Sequence, residues 1–103
     1  MLKLQPSPTF KATVDIPTHG GPMPVEFEFK HMTREAFAKF LEVEPDKKRT
    51  DEEAIGEFVC GWSGIDAPFS QAALAELVQN YHASARAMFE VYIRELTQAS
   101  TKN

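Results

Sequence analysis

The sequence predicts an α+β fold: an N-terminal antiparallel β-hairpin followed by about four α-helices, in a single domain over residues 1–103. Apolar residues alternate with a period of two between Phe10 and Phe29, the mark of half-buried strands, and recur at helical spacing after Thr33. At 103 residues and 43% apolar content, the chain can build one core without crosslinks, and not two.

In the first strand Phe10, Ala12, Val14 and Ile16 alternate with Lys11, Thr13 and Asp15; in the second, Val25, Phe27 and Phe29 alternate with Glu26, Glu28 and Lys30. The stretch from Pro17 to Pro24 holds three prolines and two glycines and reads as a long hairpin loop that continues neither strand. A register with Lys11 opposite Glu28 avoids like-charge neighbours and keeps the apolar side chains on one face, a face that a two-residue shift would also preserve. Both edges of such a ribbon stay available for pairing with another chain.

Thr33 is a good N-cap for a first helix from Arg34 to Val43, with Phe37, Phe40 and Leu41 as its stripe, a Met32–Phe37 staple and Pro45 as its stop. Lys47-Lys48-Arg49, flanked by acids on both sides, reads as a solvated mixed-charge loop. Thr50-Asp51-Glu52-Glu53 is a capping box opening a second helix, with Ile55, Phe58 and Val59 as its stripe and Gly61 as its left-handed terminus. Gly56 inside that helix suggests that another backbone passes close by. Ser70 caps a third helix, with Phe69 and Leu74 as staple and Leu74, Leu77, Val78 and Tyr81 as stripe. A fourth helix, about His82 to Gln98, sets Ala85, Met88, Phe89, Tyr92, Ile93 and Leu96 on one broad face, widened by Ala87 and Val91, which implies more than one neighbour. Residues 1–8 and 99–103 read as frayed ends.

Composition excludes several classes of function. Cys60 is the single cysteine, so no internal disulfide and no cysteine-based zinc framework exists, and a lone thiol points to a reducing, cytoplasmic setting. Apolar runs are far shorter than the roughly 20 residues needed to span a bilayer, and residues 1–9 lack a signal-peptide core. A net charge of −4, with basic residues that do not cluster, argues against nucleic acid as a partner.

Catalytic and metal constellations each meet a plainer explanation. His19, His31 and His82 share no helical metal-pair spacing, and a site assembled from Cys60, His31 and His82 would need convergence across the fold. Cys60 reads as a small buried apolar side chain, and Glu52, Glu53 and Glu57 as capping and solvated acids. Gly20-Gly21 precedes a strand rather than a helix N-terminus, which is not the setting of a phosphate loop. The expectation is a non-enzyme with no cofactor and no metal.

The segment Cys60-Gly61-Trp62-Ser63-Gly64-Ile65-Asp66-Ala67-Pro68-Phe69-Ser70 is the most informative. Its glycines, the Asx-forming Asp66 and Pro68 make a stiff connection bearing two aromatic rings. Trp62 and Phe69 either plug the core between the second and third helices, or Trp62 stands partly exposed as an anchor for a partner.

Taken with the hairpin from Phe10 to Phe29, with Gly61-Trp62-x-Gly64-Ile65-Asp66-x-Pro68-Phe69-Ser70, and with Asn80-Tyr81, Ala85-Arg86-Ala87-Met88-Phe89 and Tyr92, the chain resembles the tail assembly chaperones of long-tailed bacteriophages and prophages over about Phe10 to Gln98. His82 departs from the family, whose members tend to carry proline there. The resemblance implies a small protein of the host cytoplasm, absent from the finished particle, that binds the helical, aggregation-prone tape measure protein until tube subunits polymerise around it. In many relatives a frameshift near the end of the reading frame appends a second domain.

The residues themselves suggest apolar, multivalent client contacts through Trp62, Met88, Val91 and Tyr92. The alternatives are a self-assembling tail component that forms a homo-oligomer through the hairpin edge, and a small enzyme or metal protein centred on Cys60 and His82.

Overall fold

The computed structural model describes residues 1–42 and 50–98. The chain runs β1 (Thr9–Thr18), β2 (Gly21–Lys30), α1 (Arg34–Leu41), α2 (Asp51–Gly56), β3 (Val59–Ser63), α3 (Gln71–Asn80) and α4 (Ser84–Gln98). It is an α+β fold with the expected hairpin and four helices, and with a third strand that the sequence reading lacks. The sheet order is β1-β2-β3, antiparallel throughout. Val43 and Pro45, the basic run at 47–49 and the frayed end at 99–103 lie outside the described residues; residues 1–8 are exposed and form neither helix nor strand.

The hairpin adopts the register with Lys11 opposite Glu28. Its loop is far shorter than expected: pairing continues to Thr18 opposite Gly21, leaving His19 and Gly20 as the turn. The prolines tolerate this because of where they fall in the ladder. Alternate residues of β2 point their N–H away from β1, as Lys30 does in donating to the Phe58 carbonyl at 2.7 Å. Pro22 and Pro24 belong to the same alternate set, and Pro17 pairs with Pro22, so none removes a β1–β2 hydrogen bond. Gly21 takes φ 108° as the chain leaves the turn, a conformation that side chains rarely adopt. The Thr18 hydroxyl braces the turn by donating to the Gly21 carbonyl at 2.5 Å.

The predicted second helix is corrected most. Its capping box is present, with the Glu53 amide donating to Thr50 Oγ1 at 3.1 Å and the Thr50 amide to Glu53 Oε1 at 3.0 Å. The helix stops at Gly56, and Val59 to Ser63 form β3 on the outer edge of β2. Gly56 and Gly61 each cost a helix about 1 kcal/mol relative to alanine, while a strand at this position pairs the outward amides of β2. Ile55, Phe58 and Val59 are buried as expected, but across a helix end and a strand start. Gly61 is a strand residue opposite Glu28, and Cys60 is the extra residue of a bulge between Glu28–Gly61 and Phe29–Val59. A side chain, not a backbone, crowds Gly56: a Cβ there would stand 2.7 Å from Gln71 Oε1.

Thr33 and Ser70 cap α1 and α3 as read, accepting from Ala36 N and Ala73 N at 3.0 Å each. In α1 Phe40 is buried, but Leu41 points outward. The core is an aromatic cluster between α1, α2, α4 and the sheet. Phe58 stacks on Tyr92 with ring centroids 4.0 Å apart, Phe29 meets Tyr92 edge-on at 5.4 Å, and Phe40 meets Phe58 edge-on at 5.8 Å. Each such pair adds about 0.5–1.5 kcal/mol to the burial of its rings. The Tyr92 hydroxyl donates to the Lys30 carbonyl at 2.7 Å, tying α4 to the end of β2.

Candidate interaction surface

α4 packs over β1, so the inner face of the hairpin is closed. At the β3 end the cover is thinner. Trp62 pairs with Phe27 in the ladder and shares its face, with the two rings edge-on at 6.3 Å. Phe69, just before the α3 cap, meets the indole edge-on at 5.1 Å. The indole N–H donates to the Ala67 carbonyl at 2.8 Å, so the connection satisfies its polar atom. Gly64, at φ 96°, makes the turn that folds Ile65 to Ala67 back over the ring.

Trp62 is therefore half-buried: it packs against the core and keeps some open surface. Beside it runs an open groove of about 230 Å³ lined by Trp62, Ile65, Leu77 and Tyr81, with Asp66 and Glu76 on its rim. Tyr81 and Asn80 also line a second depression of about 360 Å³, which reaches Pro17 to His19 at the hairpin tip and His82 at the α3–α4 corner. The two depressions share Asn80 and Tyr81, at the C-terminal end of α3.

Tyr81 was expected inside the α3 stripe. It is instead the C-cap, with φ −118° and ψ 97°, so the chain leaves the helix there and the residue stands 41% exposed. Ile65, Leu77 and Tyr81 are the groove-lining residues that sequence reasoning missed as such; the available signal was an apolar stripe whose last member, Tyr81, sits at the helix break.

Of the residues expected to meet a partner, Met88 and Tyr92 are 0% exposed and offer no surface to one. α4 turns them into the aromatic core because the sheet and α2 both demand cover. Val91 is half-buried against the core's margin. The breadth of the α4 face is thus used internally.

The Cys60 and histidine alternative finds no assembled site. The Cys60 thiol donates to the Glu28 carbonyl at 3.4 Å, and burial, with the nearby Glu28 charge, pushes its pKa up, away from the thiolate a nucleophile needs. His82 lies in the depression with His19, not with Cys60 or His31. Among the described residues no three His, Cys, Asp or Glu side chains gather as a metal site, and no helix is long and apolar enough to cross a membrane. Between α2 and α3 the Gln79 amide donates to the Glu52 carboxylate, a bond that lowers the Glu52 pKa and fastens the two helices.

Among curated proteins and among solved structures nothing matches the chain. The family model described as phage tail assembly chaperone matches residues 1–103, the whole chain, and the protein belongs to that family.

Proposed function

We propose that this tail assembly chaperone binds the tape measure protein through the Trp62–Tyr81 surface and keeps it soluble while the tail is built. The observation that supports the reading is the half-buried Trp62, whose polar atom is already satisfied and which lines a groove with Ile65, Leu77 and Tyr81. Such a groove fits the apolar stripe of a helical client, and its acidic rim of Asp66 and Glu76 suits basic residues beside that stripe. One shallow groove binds weakly. Many copies along an extended client supply avidity instead. Val91 belongs to the proposed contact set with Trp62; Met88 and Tyr92 support it from inside.

The protein acts in this reading without catalysis, in the host cytoplasm, and leaves before the particle is complete. Co-expression with the tape measure protein is the test: the client stays in the soluble fraction with the chaperone and precipitates without it. Equal precipitation in both cases rejects the reading.

A second reading, self-association through the hairpin edge, is supported by the sheet order. β3 covers part of the outer edge of β2, so of the two hairpin edges expected to be free, that of β1 remains unpaired among the described residues.

A further inference from the structure

We infer that the β1 edge is a self-complementary interface, pairing antiparallel with β1 of a second copy about a two-fold axis at Thr13. This rests on the self-association reading and gives it a register. The ladder fixes which groups face outward: Lys11, Thr13 and Asp15 pair with the β2 residues whose amides point away from β1, so their own N–H and C=O groups point to the open edge. All three side chains are exposed and lie on the face opposite Val14 and Ile16.

Centred on Thr13, an antiparallel partner sets Lys11 of each copy against Asp15 of the other, forming an ion pair on either side of the axis. Centring on Lys11 or on Asp15 instead opposes like charges. Neither residue has an ion-pair partner among the described residues. Pro17, which lacks an N–H, ends the interface opposite Thr9, and the same register carries the apolar row of Ala12 and Val14 across the axis. The result is a closed pair with a continuous six-stranded sheet, since a two-fold contact consumes the same edge on both copies.

Charge reversal tests the register by sedimentation equilibrium, with circular dichroism confirming that each variant is folded. The wild-type chain forms a dimer. Lys11→Asp and Asp15→Lys each weaken it by about tenfold or more, because both pairs become repulsive. An equimolar mixture of the two variants regains the wild-type affinity as a heterodimer, in which every pair is again of opposite sign. A dimer indifferent to these reversals overturns the register while sparing self-association. A monomeric wild type overturns both, and a monomer whose β1 amides gain protection only on adding the tape measure protein assigns the edge to an extended client segment.

Discussion

Two aromatic regions lie on the same face of the sheet and differ in what covers them. Over β1 and β2, α4 closes the face, and Phe29, Phe58 and Tyr92 are fully sealed. At β3, Trp62 and Phe69 pack on each other and on the edge of the core, and a groove stays open toward Tyr81. Similar side chains thus differ by their cover: where a helix lies over them they are sealed in the core, and where a loop does they keep open surface.

Substitutions can break that contrast from the sealed side first. Phe58→Ala removes a ring that contacts Phe29, Phe40 and Tyr92 and lowers stability by about 3–5 kcal/mol, read as a fall in Tm of about 12 °C or more. Tyr92→Phe keeps the ring and loses only the bond to Lys30, costing about 1 kcal/mol in denaturant unfolding.

The same substitution has a pH signature. Burial pushes the Tyr92 phenol from 10.0 up to about 12, so its contribution is whole below the unfolded value and is lost as pH rises from about 10 through about 12. That alkaline loss disappears in Tyr92→Phe. A curve of stability against pH that is identical in the two proteins would contradict the sealed environment of this ring.

Between the two regions, Ser70→Ala removes the α3 cap and costs about 1 kcal/mol, with client binding weakened only as far as the groove wall loosens. Tyr81→Ser on the open side changes stability by about 0.5 kcal/mol or less, yet reduces retention of soluble tape measure protein on co-expression. A large loss of stability there, or unchanged client retention, would erase the distinction between the regions.

Local signals in the sequence located what local physics decides. The caps at Thr33, Thr50 and Ser70 were legible because each is a contact between a side chain and a backbone amide three residues on. The hairpin register is the one that avoids like-charge neighbours, although alternation alone also allows a two-residue shift. What stayed hidden depends on distant partners. Ile55, Phe58 and Val59 satisfy helical spacing and are all buried, but the unpaired outer amides of β2 draw Val59 to Ser63 into a strand. Prolines 17, 22 and 24 read as strand breakers because their place in the ladder is not visible before the register is known. Met88 and Tyr92 read as surplus apolar surface because the sequence does not show how much of it the sheet absorbs. Trp62 stands out in the sequence as the lone indole of a stiff connection, while its groove partners come from that connection and from α3 with its C-cap, and are legible only once the fold joins them.

Trp62 is the one tryptophan in the chain, so its fluorescence reports on the proposed client surface directly. Titration with the tape measure protein, or with amphipathic helical segments of it, should shift the indole emission to the blue and shield it from a soluble quencher as the groove closes. Saturated client binding that leaves both the emission and the quenching of Trp62 unchanged would contradict the account.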